Sequence, residues 1–228
     1  MKWLKKNWFW LLMNIIALLP LIAVFSMISV DLSGNGALIS AELPVRMDEA
    51  GRIMESKKSP LWLPIHNTGE WAIRWLTVSL SMTPLMILFG LKRTRRYRKL
   101  FGLYAFVYSL FHLLFFIIDR NLIAVFDEIN FILGLVSFAI MIPLALTSNR
   151  WSLQKLKKAW QSLHKWAYAA GILAIFHIAL LERGSWTVYA VIIALGMLLR
   201  FPPIKNASLL RYRRKKKGSV SELKLDSI

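Results

Sequence analysis

The chain has 228 residues, of which 57% are hydrophobic, and it has a mean hydropathy of +0.50 and a formal net charge of +18. Globular domains are about 45–50% apolar. The excess falls in long blocks here, which excludes a soluble enzyme and a disordered chain. The sequence has no cysteine, which excludes disulfides, thiolate nucleophiles and cysteine-ligated iron–sulfur clusters.

Six stretches are long and apolar enough, or nearly so, to cross a hydrocarbon layer that needs about 20 helical residues. They predict an all-α membrane protein, a single-domain bundle of six transmembrane helices at residues 8–30, 71–91, 100–118, 129–147, 163–181 and 185–201. The first stretch follows three lysines and resembles a signal peptide, but its long uncharged run favours a retained helix. The polar residues 31–68 form an external segment, and no internal repeat is evident.

Basic residues are concentrated on one side of the predicted bundle. The segments 1–7, 92–99, 148–165 and 200–228 contain 23 of the 30 Lys and Arg residues but only Glu222 and Asp226 among the 12 acids. The positive-inside rule therefore places both termini in the cytoplasm. The charge is a topology signal and does not indicate nucleic-acid binding. The basic cytoplasmic tail 202–228 either lies against anionic headgroups or is a solvated flank.

Histidines inside the spans are candidate functional residues, because ionisable groups are costly within a membrane. His112 lies roughly 18 Å, and His177 roughly 21 Å, along helices that run in the same direction. Their similar depth in an apolar environment predicts a heme held between two imidazoles, which suits electron transfer because no iron position stays open. The alternative is a packed polar residue bonded to a neighbouring helix. His66, in the external segment, reads as a surface residue.

The charged residues near the spans leave alternatives open. His164 would need a second heme ligand at the depth of Arg98 and Lys99, and neither is a normal ligand, so an inner heme would be irregularly ligated. Arg98 and Lys99 either bind the phosphate of FMN or anchor the chain at the membrane surface. Arg74 either contacts a heme propionate or pairs with Glu70, four residues earlier.

Four stretches together carry a resemblance to a known family. They read TGEWAIRWLTVSLSMTPL at 68–85, RKLFGLYAFVYSLFHLLFF at 98–116, PLALTSNRWS at 143–152 and WQSLHKWAYAAGILAIFH at 160–177. They cover most of the second to fifth spans. The chain thus resembles the heme-binding membrane subunit of periplasmic methionine sulfoxide reductase systems, within the ferric-reductase-like transmembrane superfamily.

This resemblance implies a six-helix b-type cytochrome in the bacterial inner membrane. Its expected partner is a periplasmic molybdopterin enzyme that reduces oxidised methionine in proteins. By motif, the family's heme-associated histidines correspond to His112, His164 and His177, with one or two hemes b. FMN is expected near the basic residues that precede the third span, and His66 stands where relatives often carry a histidine.

The chain departs from the family in residues 31–68, a segment that is longer than usual and would face the partner. Residues 202–228 contain no G-x-G-x-x-G phosphate loop, so we expect the electrons to come from a cytosolic flavin reductase or from membrane quinol. One alternative is a stand-alone ferric or other metal reductase. Another, of a different class, is a small transporter or assembly factor whose histidines bind a metal or a proton.

Overall fold

The computed structural model describes residues 2–30, 39–41, 46–47, 53–54, 59–89, 94–181 and 186–200. Within them the α-helices are α1 Lys2–Ser26, α2 Trp62–Phe89, α3 Thr94–Arg120, α4 Ile129–Leu146, α5 Arg150–Leu163, α6 Ala167–Leu180 and α7 Trp186–Leu198. Short 3₁₀ turns follow α3 at Ile123–Phe126 and separate α5 from α6 at His164–Trp166. The basic tail 202–228 and much of the segment 31–68 lie outside the described residues.

Four helical stretches in the described part are long and apolar enough to cross a membrane. They are Asn7–Ser26, Arg96–Arg120, Ile129–Leu146 and Arg150–Leu180, and Trp186–Leu198 is a shorter apolar helix. The four stretches contain or overlap the predicted first, third, fourth and fifth spans. The chain is therefore a mostly helical membrane protein. The count of six spans and the cytoplasmic termini stay predictions.

Two small hairpins correct the all-α expectation for the external segment. The strands β1 Ile28–Val30 and β2 Ile39–Ala41 pair antiparallel, as do β3 Arg46–Met47 and β4 Ile53–Met54. The first span was expected to continue to residue 30, but α1 ends at Ser26. Two of the three β1 residues are β-branched, which favours a strand, and their backbone groups pair with β2.

Helix α2 begins nine residues before the predicted second span, at Trp62. The polar residues that argue for a loop are bonded within the protein instead. The Thr68 hydroxyl donates to the Pro64 carbonyl at 2.6 Å, and the Asp119 carboxylate accepts from Leu61 N–H just before the helix. Since buried polar groups need such partners, the helix continues through them. His66 therefore lies on a helix and not in a loop, which corrects its predicted placement.

The predicted basic connection 148–165 contains the helix α5. Its N-cap is Asn149, whose side chain accepts from Ser152 N–H at 2.7 Å, as N-cap residues do. Trp151 is 67% exposed, and Lys155 lies 4.6 Å from its ring. The backbone breaks direction at Lys157, where φ is 45°. Exposed tryptophan beside lysine on one helix is typical of a helix at a membrane interface.

The core lies between two packed helix pairs, α2 with α3 and α4 with α6, which meet where α3 contacts α4. Tyr108, which is fully buried, donates to the Ala17 carbonyl at 2.9 Å and ties α3 to α1. Ser137 donates to the Ala170 carbonyl at 2.9 Å and ties α4 to α6. Large apolar side chains on the outer faces of α1 and α7 are exposed, which suits contact with lipid.

Candidate functional site

Two histidines face each other between the helix pairs. The ring centres of His112, on α3, and His177, on α6, are 6.2 Å apart and their planes are inclined by 76°. Metal–imidazole bonds are about 2.0 Å long, so two imidazoles on opposite sides of one metal have ring centres roughly 6 Å apart. The two rings predicted to lie at one depth are therefore about as far apart as two imidazoles that share one metal ion.

Backbone carbonyls fix the orientation of both rings. The Nδ1 atom of His112 lies 2.8 Å from the Ile65 carbonyl oxygen, and that of His177 lies 2.7 Å from the Asn130 carbonyl oxygen. A carbonyl only accepts, so Nδ1–H is the donor in each bond. In that tautomer Nε2 carries the lone pair, which is the arrangement that metal-ligating histidines usually have.

A glycine lies against each imidazole ring. A Cβ atom at Gly69 would stand 2.9 Å from Cε1 and Nδ1 of His112, and one at Gly134 would stand 3.0 Å from Nδ1 of His177. Any larger residue at these positions would push the rings from their places. The sequence reasoning missed both glycines, because nothing local marks them as neighbours of a histidine.

The two halves of the site repeat each other. Each histidine follows its carbonyl partner by 47 residues, and each glycine follows that partner by one helical turn. The matching positions are Ile65, Gly69 and His112 in the first half and Asn130, Gly134 and His177 in the second, 65 residues later. This repeat corrects the expectation that the chain has none, and the sequence carries a faint sign of it: Ala-x5-Phe-His occurs at residues 105–112 and again at 170–177, and both alanines are fully buried.

The histidines open into a mainly apolar cavity lined by α2, α3, α4 and α6. Among the described residues, no group of three or more His, Cys, Asp or Glu side chains could hold a metal ion. Two opposed imidazoles in an apolar slot suit a metal whose remaining ligands come from a flat macrocycle. The donor set and the two glycine surfaces therefore fit a heme.

The predicted cofactor contacts His66 and Arg74 both pair with Glu70 but differ in whether they line the cavity. His66 Nε2 lies 3.3 Å from one Glu70 carboxylate oxygen, and Arg74 Nη2 lies 2.5 Å from the other. His66 and Glu70 line the cavity, whereas Arg74 does not. Arg74 thus has the Glu70 pairing that was its alternative. The cation that does line the cavity is Arg120, which the sequence reasoning missed.

His164 is not brought to the other two histidines. Its ring stacks on Trp160 with centres 3.9 Å apart, and its Nε2 lies 3.2 Å from the Thr147 hydroxyl. It stands 13 residues before His177, roughly 20 Å along a helix, and it is not a lining residue of the cavity. A role for His164 as a heme ligand stays a prediction.

Arg98 and Lys99, predicted to share one cofactor, face different surroundings. Lys99 lines a groove between α1 and α3 with Trp10 and Arg96. Arg98 lies close enough to His164 to act on it electrostatically. Adjacent residues on a helix point about 100° apart, which explains the divergence. One ligand that contacts both side chains would have to bend around α3.

Comparison with known proteins shows what a large part of the chain is similar to. Residues 68–175 match the family described as ferric reductase like transmembrane component. That match covers slightly less than half of the chain. The matched range includes Gly69, His112 and Gly134, and it ends two residues before His177. The site described above is thus built almost wholly within the ferric reductase-like part of the chain, and the superfamily resemblance drawn from the sequence is confirmed.

Similar proteins are known from Brucella ovis, Brucella canis and Brucella suis. Each is named protein-methionine-sulfoxide reductase heme-binding subunit MsrQ and is 40% identical to this chain over 146 residues. The aligned part covers 59% of this chain and 66% of each relative, so the chain spans slightly less than two thirds of their length. No solved structure matches the chain.

Proposed function

We propose that the chain is a b-type cytochrome subunit that carries electrons across the bacterial inner membrane to a periplasmic, molybdopterin-dependent methionine sulfoxide reductase. The reductase would then repair oxidised proteins. The observation that carries the proposal is the pair His112 and His177, whose ring centres are 6.2 Å apart and whose Nδ1 atoms both face backbone carbonyls. The names of the Brucella relatives support the heme and the reductase.

In this proposal His112 and His177 would hold the iron of heme b. When bound, heme would supply reversible one-electron chemistry, and the protein supplies position and an environment of low polarity. Two imidazoles on one iron would favour electron transfer over oxygen chemistry. Gly69 and Gly134 leave the space that the two rings need.

The charge distribution sets the proposed orientation of the chain, and the positions of donor and acceptor then set the direction of electron flow. We place both termini in the cytoplasm, with six spans, so the end of the bundle near Arg98 is internal and the end near His66 is external. The donor is a cytosolic flavin reductase, with FMN bound near Arg98 or Lys99, or membrane quinol. The acceptor approaches the external end, where Glu70 and Asp119 also line the cavity.

The test is a reduced-minus-oxidised absorption spectrum of membranes that contain the full chain. We expect a b-type signal in the wild type and its loss in His112→Ala and His177→Ala, since each removes one axial ligand. His164→Ala tests the third histidine: an unchanged signal indicates that His164 holds no heme, and a halved signal indicates a second heme at His164. Full retention of the signal in both ligand variants would contradict the proposal.

The family description also favours a stand-alone ferric reductase, and the two functions are separable. A tagged chain that co-purifies with a molybdenum-containing periplasmic protein supports the reductase subunit. Membranes that reduce a ferric chelate at the same rate without that protein support the alternative. Both functions require the histidine pair. This comparison therefore tests only the identity of the electron acceptor, and the absorption spectrum tests the heme site.

A further inference from the structure

Arg120 is the last residue of α3. Within the described part of the chain, it is the only Lys or Arg whose side chain lines the cavity of the two histidines. It follows His112 by eight residues, which is roughly 12 Å along the same helix. The cavity therefore has one described arginine, and it lies at the C-terminal end of the helix that carries a ligand histidine.

The neighbouring Asp119 engages only one side of this guanidinium. Its Oδ2 atom lies 3.9 Å from Arg120 Nε and is buried without a hydrogen-bond partner among the described residues. Its Oδ1 atom accepts from the Leu61 N–H at 3.3 Å, which fixes the carboxylate. Because a guanidinium is a rigid fork of five N–H donors, contact on the Nε side leaves the two terminal nitrogens for another acceptor.

The other described carboxylate in the cavity lining, Glu70, is already paired. One of its oxygens contacts His66 Nε2, and the other contacts Arg74 Nη2. Arg74 is thereby engaged and does not line the cavity. Arg120, and not Arg74, is the described cation in position to meet an anion inside the cavity.

The part of the cavity that lies further along α2 and α4 is apolar. It is lined there by Ile73 and Leu76 on α2 and by Phe138 and Met141 on α4, which follow the two glycines beside the histidines. A carboxylate without a partner is costly in such surroundings. A heme carries two propionate carboxylates on one edge of its ring, and these residues offer them no counter-charge.

We propose that Arg120 binds a propionate carboxylate of the heme and that Asp119 is a positioning residue that orients the Arg120 guanidinium. The inference rests on the proposed function, because it needs a heme between His112 and His177. A guanidinium forms charge-assisted hydrogen bonds to a carboxylate and can form two of them side by side. Reduction adds an electron to the heme, so a positive charge at this place also favours the reduced form.

The experiment measures the transfer of heme from the purified full chain to an excess of apomyoglobin. Losing a charge-assisted bond at a partly exposed site accelerates this transfer roughly threefold to tenfold. We expect that acceleration in Arg120→Gln and a smaller one in Arg120→Lys. We expect none in Arg150→Gln, which removes an exposed arginine from the start of α5.

Two further measurements separate propionate binding from a structural role. With heme dimethyl ester, whose propionates carry no charge, Arg120→Gln and the wild type should lose the heme at the same rate. Asp119→Asn should accelerate the transfer of ordinary heme when Arg120 is present but not in an Arg120→Gln background, because a positioning residue acts through its partner. The reduction potential of the heme should be lower in Arg120→Gln than in Arg150→Gln.

Equal heme transfer in Arg120→Gln and the wild type overturns this inference and leaves the proposed function intact. So does an acceleration of the same size with heme dimethyl ester, because Arg120 would then act on the fold or on an acid of the protein. Equal transfer in Asp119→Asn and the wild type overturns the positioning role. A wild type without a b-type signal contradicts the proposed function and this inference with it.

Discussion

Two hydrogen bonds of under 3 Å determine how the imidazole pair is presented. In each, Nδ1–H donates to a carbonyl that belongs to a different helix, Ile65 for His112 and Asn130 for His177. Both carbonyls lie near the beginning of their helices, where the chain has just entered the bundle. The ligand rings are therefore oriented by the backbone, and the identity of the side chains at residues 65 and 130 matters little for that bond.

Asp119 is a second residue whose role is set by one contact. Its side chain is 2% exposed, and its Oδ1 accepts from the Leu61 N–H at 3.3 Å, directly before α2 begins. A carboxylate in this place satisfies an N–H that the helix leaves unbonded and interacts favourably with the helix dipole. It also fastens the end of α3 to the start of α2, beside the cavity.

We therefore predict that Asp119→Ala lowers the free energy of unfolding by about 1–3 kcal/mol, because the Leu61 N–H would stay buried without an acceptor. Asp119→Asn keeps an acceptor oxygen and should cost less. The measurement is thermal unfolding of the full chain in detergent. Asp127→Asn, at an exposed position nearby, is the control, and an Asp119→Ala protein as stable as that control would refute the capping role.

At the scale of elements, the site is built from two helix pairs with the same plan. In each pair the first helix supplies the carbonyl and the glycine, and the second supplies the histidine. Between residues 65–74 and 130–139 only the glycine is shared. The shared arrangement therefore comes from helix packing. Close approach of two helices needs a small residue at the contact, whereas the residues at the other positions can differ.

The glycines make this plan testable. We predict that Gly69→Ala displaces the His112 ring and reduces heme content, although alanine favours a helix by about 1 kcal/mol, because a contact of 2.9 Å forces the ring to move. Gly134→Ala should also reduce heme content, but by less, because a Cβ there would stand 3.0 Å from the His177 ring. For both variants, the measurements are the heme content per protein, taken from the absorption spectrum, and the reduction potential of the heme that remains.

Gly171→Ala is the matched control for these variants. A Cβ there would stand 2.9 Å from Cδ1 of Leu80, the far end of a flexible side chain that can turn aside. Heme content should therefore stay at the wild-type level. If Gly69→Ala and Gly171→Ala retain heme equally, the glycine at residue 69 has no special part in seating the ring.

At the scale of the whole molecule, the charge pattern and the site together give the chain two different ends. The end near Arg98 and Arg200 is cationic and has no described carboxylate beside it. The opposite end carries the described carboxylates, and Glu70 and Asp119 among them line the cavity. By the positive-inside rule, we propose that the cationic end faces the cytoplasm.

This orientation can be tested cleanly because the chain has no native cysteine. We predict that a membrane-impermeant maleimide labels Asp127→Cys in intact cells, and labels Lys158→Cys only after the cells are lysed. Both positions are exposed in the structure, and labelling of Lys158→Cys after lysis shows that this position can react. Labelling of Lys158→Cys in intact cells would reverse the proposed topology and the direction of electron flow with it.

The limits of sequence reasoning are clearest at the helix ends. Apolar run length placed the cores of α3, α4 and α6 correctly, because a membrane span is a local property of about 20 residues. Helix α2 begins nine residues before the predicted second span, since polar residues at 66–70 are satisfied within the helix, Thr68 by the Pro64 carbonyl and Glu70 by His66 and Arg74. The end of α1 and the helix α5 were not predicted for a related reason. Where α1 ends depends on the pairing of β1 with β2, and α5 depends on contact with the membrane surface.

The amino-acid sequence by itself determined that the chain enters a membrane, that its charges are sorted by side, and that His112 and His177 lie at one depth. These follow from composition and from the constant rise of a helix. Only the tertiary structure decided which carbonyls orient the rings, that glycines lie beside them, that Arg74 faces Glu70, and that Arg200 meets α2. Apart from the Arg74–Glu70 pair, which spans one helical turn, these contacts join residues 43 to 120 positions apart, and no local pattern encodes which distant residue will pack against a given one.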